Sequence, residues 1–451
     1  MRFIPYSERD VARALETIGA PSVGALFESI PAALRERASL DLPPGRGERE
    51  VVAEVAGLAA ANRLCASFQG AGCYYHYVPA AVRHVLARPE FATAYTPYQP
   101  EVSQGTLQAA FEFQTYVTLL MGLDVANASL YDGASALAEA VLMALRLGNG
   151  RRRILVSRAV HPEYRAVVET YLRGSDRGKV EYVPAGGDGR TDLEALEKMC
   201  REDVAAVCVG YPNFYGVIDD LAGAAEIAHA RGALAISVTQ EALALALLQA
   251  PGRLGADVAV AEGQSFGLPP SYGGPGVGLF ATKRQYVRQM PGRVVGETLD
   301  DTGRRGYVLT LATREQHIRR ERATSNICTN QGLAALAVTV YLGLHGRFGL
   351  RRLAEYNASR AHWVAERLER EAGCARVFSG PFFNEFVVRA PSGHGWFKKA
   401  VAAGVVPGVL LGLLEKDRPE LENALLVTVT ECAEDEHVER LVELMAEGFR
   451  S

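Results

Sequence analysis

A glycine-rich loop at residues 263–276 is the part of this chain whose setting comes closest to catalytic chemistry. It lies between two short apolar segments, 257–261 and 277–281, and this pattern predicts two strands joined by a turn. A lysine on such a hairpin could form an imine with a carbonyl group, but position 264 is Gln. A neutral amide cannot form an imine, so we expect no covalent cofactor attachment at Gln264.

The lysines elsewhere in the chain do not supply the missing amine. Each falls in a charged or polar setting that predicts a solvated surface position. The six lysines are Lys179, Lys198, Lys283, Lys398, Lys399 and Lys416. The sequence therefore predicts a chain that has no catalytic residue of its own at this loop.

Composition excludes several classes of protein. The chain has 451 residues, 48% of them hydrophobic and 22% charged, with a net charge of −4. A nucleic-acid or membrane-surface role would need a basic face, and no apolar run approaches the ~18 residues of a membrane-spanning helix. The first ten residues turn polar too early for a signal peptide, and the seven cysteines contain no Cys-x-x-Cys pair. We expect a cytoplasmic protein with reduced thiols and no metal site.

The order of predicted elements indicates an α/β fold. Between residues 153 and 238, short apolar strands alternate with amphipathic helices, which predicts a mainly parallel sheet covered on both faces. From about residue 330, two long helices (331–345 and 350–371) precede strands near 376–378, 385–389 and 425–429 and a last helix at 435–449. We therefore divide the chain into a helical N-terminal arm (1–60), a large α/β domain (61–329) and a smaller α+β domain (330–451). Within the arm, helices are predicted at 7–18 and 23–30.

Four motifs carry a resemblance to a known family. They occupy residues 95–105 (YTPYQPEVSQG), 131–140 (YDGASALAEA), 262–265 (EGQS) and 322–329 (RATSNICT). With the large α/β domain and the glycine-rich hairpin, they make the chain resemble fold-type I pyridoxal-phosphate enzymes. More narrowly, it resembles the α (N-terminal-type) subunits of the glycine decarboxylase P-protein, the glycine dehydrogenase (decarboxylating) subunit 1 family.

The resemblance implies that two chains act together and that only one of them attaches the cofactor. In that family the P-protein is either one chain with two homologous halves or two subunits, and the lysine belongs to the other half. It implies a β subunit that binds pyridoxal phosphate covalently, assembly as α2β2, and decarboxylation of glycine with transfer of the aminomethyl group to the lipoyl arm of the H-protein. Two alternatives stay open: a catalytically dead scaffold or regulatory protein, and a stand-alone aminotransferase-like enzyme.

Two departures from the family pattern bear on the cofactor. Tyr75 stands where an acidic residue is usual, and Thr239-Gln240 stands where Asp-Pro is usual. In the working half, an Asp near this strand end pairs with the pyridinium nitrogen of the cofactor. Its absence from this chain favours a vestigial site over an unusual active one.

The resemblance also implies cofactor contacts across a subunit interface. Thr324, Ser325 and Asn326 are expected to donate hydrogen bonds to the phosphate of the partner's cofactor, and Arg322 could add positive charge. The alternative is that this run caps a helix that begins near Gln331.

An aromatic set is expected to line the shared pocket or the path of the lipoyl arm. This set consists of Tyr74, Tyr75, His76, Tyr77, Tyr95 and Tyr98, although an interface core would have the same composition. From it we expect Tyr95, Tyr98 and His76 in the pocket, together with Gln99 and Arg322. A turn at residues 127–135 leads into a helix and could cradle a phosphate, but capping by Asp132 or Ser135 is favoured.

Overall fold

The computed structural model describes residues 6–38, 41–174, 177–311, 314, 316–327, 329–393 and 395–450. Contacts between residues divide the chain into two compact units, Met1–Arg63 and Leu64–Ser451. The separation of residues 61–329 from residues 330–451 stays a prediction.

The first unit is helical. Its helices are α1 (Glu8–Ile18), α2 (Ala32–Arg37) and α3 (Glu48–Ala60). Ser7 caps α1 by accepting a hydrogen bond from the Asp10 backbone. None of the residues of these three helices is buried. Of the helix predicted at 23–30, only a short 3-10 helix forms, at Gly24–Phe27, where the N–H groups of Ala25 and Leu26 bond to carbonyls three residues back.

The second unit contains the remaining strands and helices. Its strands are β1 (Ala66–Ser67), β2 (Val125–Ala126), β3 (Arg153–Ser157), β4 (Lys179–Val183), β5 (Val204–Gly210), β6 (Leu234–Thr239), β7 (Val258–Glu262), β8 (Gly278–Thr282), β9 (Val294–Leu299), β10 (Arg305–Thr310), β11 (Glu385–Arg389), β12 (Val405–Val406), β13 (Val409–Leu410) and β14 (Ala424–Thr428). Its helices are α4 (Ala80–Leu86), α5 (Pro89–Ala92), α6 (Gln104–Met121), α7 (Gly133–Leu147), α8 (Pro162–Leu172), α9 (Leu193–Met199), α10 (Leu221–Ala230), α11 (Gln316–Arg319), α12 (Gly332–Ala372), α13 (Gly395–Ala402) and α14 (Asp435–Arg450).

A seven-stranded sheet forms the centre of this unit. Its strand order is β2-β8-β7-β6-β5-β3-β4. The strands from β3 to β7 pair in parallel, whereas β8 is antiparallel to both β7 and β2. Every residue of β5 is buried, as expected of a parallel strand that has helices on both faces. The α/β prediction is confirmed, and the predicted strands and helices of this region form within one or two residues of their expected ends.

Helix α12 connects the region of the large sheet with the C-terminal elements. Gly346 interrupts it with φ 56° and ψ −177°, so two helical segments meet there, as the sequence predicts. By length and composition α12 could cross a membrane, but half of its most apolar window is buried inside the protein. This burial is typical of a core helix.

The C-terminal elements form a smaller sheet with the antiparallel order β11-β14-β13. Helix α14 packs against α12, and its apolar residues join a core with Phe386 and Val427. The strand predicted at 376–378 is reduced to a single bridge between Arg376 and Val388. An antiparallel hairpin of β9 and β10 was not predicted from the sequence.

Candidate functional site

The β7–β8 hairpin places the loop at residues 263–277 at the carboxyl end of the parallel strands. The two strands pair from Val258 with Thr282 to Glu262 with Gly278. Ligands of open α/β sheets bind outside this end of the strands. The predicted hairpin is therefore confirmed, and Gln264 follows its first strand at the edge where a ligand would lie.

The side chain of Gln264 is buried and fully used in hydrogen bonds. Its Oε1 accepts from the Tyr74 backbone N–H at 2.8 Å, and its Nε2 donates to the Tyr74 carbonyl at 3.0 Å and to the Leu268 carbonyl at 2.6 Å. A lysine could donate but could not accept the Tyr74 N–H. Gln264 thus fastens the segment around Tyr74 to the hairpin loop.

The neighbouring carboxylate of Glu262 lies at the N-terminus of α7. Its Oε2 accepts from the Gly133 N–H at 2.9 Å, and its Oε1 accepts from the Gln264 and Val277 N–H groups at 3.0 and 2.8 Å. Burial raises the pKa of Glu262 to about 7, although the three N–H donors favour the ionised form. Asp132 caps α7 by accepting from the Ser135 N–H at 2.7 Å, so the capping interpretation of this turn is confirmed.

Thr239 and Gln240 at the end of β6 have uncharged side chains, and the carboxylate of the next residue, Glu241, is bonded to His76. Thr239 donates its hydroxyl to the Tyr211 carbonyl at 2.7 Å. The side chain of Gln240 is buried, and its Nε2 has no hydrogen-bond partner among the described residues. With Gln264 and Glu262 as they are, this chain does not fit a covalently held pyridoxal phosphate.

The six lysines of the chain do not supply an amine to this loop. Five of the six are exposed, and Lys283 is partly buried with its Nζ 2.5 Å from Asp257 Oδ1. The prediction that all six are solvated is therefore wrong for Lys283, because it neutralises a buried carboxylate at the opposite end of β7.

His76 is buried and hydrogen-bonded through both ring nitrogens, and its role in a shared pocket stays a prediction. It is 6% exposed, and its two ring nitrogens lie 2.9 Å from Glu431 and 3.0 Å from Glu241. Burial by itself would lower the pKa of His76, but the two carboxylates outweigh it and raise the pKa to about 10. His76 is the cation of a buried ion triad that ties the segment after Tyr74 to the ends of β6 and β14.

Tyr95 lies at the wall of a cavity of about 180 Å³. The 95–105 motif meets the end of the 322–329 motif there, since Thr96, Thr329 and Asn330 line the same cavity. Tyr95 is 83% exposed, Tyr98 is 54% exposed, and Gln99 next to Tyr98 is also exposed.

Arg293 connects these predicted residues and was missed by sequence reasoning. This buried arginine donates to the Thr96 hydroxyl at 3.1 Å and to the Tyr98 hydroxyl at 3.4 Å. It also lines a smaller cavity together with Thr324 and Ser325. Its position just before β9 carries no sequence signal, because the hairpin that places it was not predicted.

The run from Thr324 to Asn326 lies on an arginine-rich surface. It lines a cavity of about 470 Å³ whose basic residues are Arg146, Arg177 and Arg320, with Glu321 as an acidic neighbour. Arg322 is exposed and lines an adjoining cavity with Thr324. The run does not cap α12, whose N-cap residue Gln331 makes no side-chain cap, so the capping alternative is wrong.

Among the described residues, no group of three or more His, Cys, Asp or Glu side chains is arranged to hold a metal ion.

The sheet order and the hairpin define the large domain of a fold-type I pyridoxal-phosphate enzyme. A solved NifS-like protein shares this fold with a TM-score of 0.60 at 15% identity, over 85% of this chain and 99% of that chain. A crystal structure of glycine decarboxylase (P-protein) of the glycine cleavage system, in inhibitor-bound form, has a TM-score of 0.90 and 44% identity, over 99% of this chain and 100% of that one.

The sequence comparisons narrow the class to one family. The profile described as glycine cleavage system P-protein matches residues 1–445. A probable glycine dehydrogenase (decarboxylating) subunit 1 from Anaeromyxobacter dehalogenans (strain 2CP-C) is 54% identical over 452 residues, which cover 100% of both chains. The chain belongs to the glycine cleavage system P-protein family.

Proposed function

We propose that this chain is the lysine-lacking subunit of a two-subunit glycine decarboxylase. A β subunit of the same family binds pyridoxal phosphate on its lysine, and the cofactor supplies the electron sink for glycine decarboxylation. The pair passes the aminomethyl group to the lipoyl arm of the H-protein and assembles as α2β2. The observation that carries this proposal is Gln264, whose amide makes three side-chain hydrogen bonds in a chain similar over its full length to glycine dehydrogenase subunit 1.

The Thr324–Asn326 run supports a role in the partner's site. Hydroxyl and amide groups stand there on a surface lined by Arg146, Arg177 and Arg320, within a chain whose net charge is −4. Such a surface suits the phosphate of a neighbouring cofactor, because charge-assisted hydrogen bonds are about twice as strong as neutral ones. We assign Thr324, Ser325 and Asn326 to that phosphate, with Arg322 at the rim.

The cavity beside Tyr95 suits the thin, apolar lipoyl arm or the substrate. Its walls combine alkyl and aromatic groups with the Thr96 hydroxyl and the Arg293 guanidinium. An apolar chain with a polar end needs this combination of surfaces. We assign Tyr98 and Gln99, which are exposed in the same motif, to the entrance of this cavity.

The N-terminal helices support an obligate partner. Exposed apolar side chains in this unit include Phe27, Val52 and Leu58, and isolated helices of this length are marginal in water. Contact with another subunit would bury them. The free cysteines of the described residues agree with a reducing compartment, the cytoplasm.

Reconstitution tests the proposed function. Glycine–bicarbonate exchange should be absent for the purified chain and should appear when the β subunit and the lipoylated H-protein are added. A complex that forms but has the same exchange rate as the β subunit alone would make this chain a scaffold. Visible cofactor absorbance of the chain alone, with transamination activity, would make it a stand-alone enzyme.

A variant of the phosphate-contacting run sharpens that test. In the mixed complex, Thr324→Ala should weaken cofactor retention about ten- to a hundred-fold, because a buried hydrogen bond to a charged group contributes roughly 1.5–3 kcal/mol. Thr302→Ala is the matched control, since Thr302 bonds to Asp300 in the exposed β9–β10 turn. Equal cofactor dissociation constants for both variants would contradict the phosphate assignment.

A further inference from the structure

Glu262 occupies the position at which this class of site would receive an anion. The first N–H groups of a helix have no partner within the helix, and the helix dipole favours negative charge there. In α7 the N–H of Gly133 is bonded to Glu262 Oε2 at 2.9 Å. The same carboxylate accepts from the Gln264 N–H at 3.0 Å, so it bridges the helix end and the position that lacks the lysine.

Two glycines allow the backbone to close around this carboxylate. A Cβ on Gly276 would lie 2.9 Å from Glu262 Oε2, and a Cβ on Gly133 would lie 2.4 Å from the Tyr164 hydroxyl and 3.0 Å from the Glu262 nitrogen. Glu262 is itself 5% exposed. The cradle therefore has the close backbone approach typical of anion sites, and a side chain of this protein already fills it.

A second anion at this position would meet like charges. Asp132 caps the same helix end and faces Glu262, where its charge contributes to the raised pKa of Glu262, after the larger effect of burial. A phosphate dianion there would meet the buried carboxyl group of Glu262 and the exposed carboxylate of Asp132 beside it. Like charges in a buried site strongly disfavour joint ionisation.

We propose that Glu262 serves as an internal substitute for the cofactor phosphate and closes this chain's own site to pyridoxal phosphate, whether covalent or not. This inference concerns the residues of this chain and holds whatever its partner does. Each pair of subunits then holds one cofactor, in the partner.

The test is binding of inorganic phosphate and of pyridoxal phosphate to the full-length chain without its partner. The wild-type chain should bind neither at the N-terminus of α7, where the amide NMR signal of Gly133 reports binding separately from the arginine-rich surface of Thr324–Asn326. Glu262→Ala leaves free N–H donors and a space that a phosphate can enter, so it should gain saturable binding. Its dissociation constant should lie at least about tenfold below the highest concentration at which the wild type shows no binding, a difference of about 1.4 kcal/mol. Glu297→Ala, on exposed β9, is the matched control and should behave as wild type.

Each possible result of this test either supports the proposal or refutes it. Stoichiometric phosphate binding by the wild-type chain at the N-terminus of α7 would overturn the proposal, as would a folded Glu262→Ala chain that binds no phosphate there. If Glu262→Ala does not fold, the phosphorus content of the wild-type mixed complex decides. One cofactor phosphate per pair of subunits supports the proposal, and two per pair refute it. None of these readouts depends on turnover, so a failure here is distinct from a failure of the proposed function.

Discussion

Replacing Gln264 with lysine should damage the fold rather than restore a cofactor site. The substitution removes three side-chain hydrogen bonds, each with a net value of about 1 kcal/mol. It also leaves the Tyr74 N–H without its acceptor in a buried position, at a cost of roughly 1–3 kcal/mol. The amine of the introduced lysine can recover part of this by donating to the carbonyls of Tyr74 and Leu268. We therefore expect Gln264→Lys to lower the free energy of unfolding by about 3 kcal/mol.

Urea unfolding at neutral pH measures this change, and Gln108→Lys is its control. Gln108 is an exposed residue of α6, so its substitution should alter stability by less than about 0.5 kcal/mol. Borohydride reduction of Gln264→Lys in excess pyridoxal phosphate should give no stoichiometric label at position 264, because Glu262 still fills the anion cradle. An undiminished unfolding free energy together with one pyridoxyl group at position 264 would refute this reasoning.

The other predictions address packing and assembly. His76→Gln should cost about 3 kcal/mol, since it leaves two carboxylates in a buried site. The pKa of His76 in the folded chain is about 10, above its ordinary value of 6.5, so its contribution to stability is complete below pH 6.5 and is lost as pH rises towards 10. Urea unfolding between pH 7 and about 10 should show this loss in the wild type and less of it in His76→Gln. Glu415→Gln should lower the free energy of unfolding by about 3 kcal/mol, because Arg165 then lies buried without a counter-charge. The surface variant Glu369→Gln should change thermal stability little. Equal effects of the two variants would contradict a stabilising role of the buried Arg165–Glu415 pair. Deletion of residues 1–63 should leave the second unit cooperatively folded but weaken its association with the β subunit in sedimentation, and unchanged association would show that the arm is not part of the interface.

The elements that could be predicted from the sequence are those whose burial is continuous. Strands β3 and β5 were predicted to the residue because every position after Arg153 in β3, and every position in β5, is apolar or small. Strands β9 and β10 escaped prediction because neither is continuously buried: the second half of β9 is exposed and most of β10 is half-buried. Only their pairing with each other identifies them. The break in α12 was predictable from Gly346.

In the candidate site too, features set by neighbouring residues could be predicted, and contacts between distant residues could not. The absence of lysine at Gln264 is a local fact and could be predicted. The contact of Glu262 with Gly133 joins residues 129 positions apart, and His76 meets Glu431 across 355 positions. His76 was predicted to line a pocket and Lys283 to be solvated, because the sequence gives no sign of which distant residue will pair with a buried charge.

The most direct test of the central claim is the location of the cofactor in the wild-type complex. The reconstituted complex is reduced with borohydride, the subunits are separated, and the pyridoxyl-labelled peptides are identified by mass spectrometry. The account predicts that all of the stable label lies on the β subunit and that the peptide containing Gln264 and those containing the six lysines of this chain are unmodified. A stoichiometric pyridoxyl-lysine at any of those six positions would contradict it.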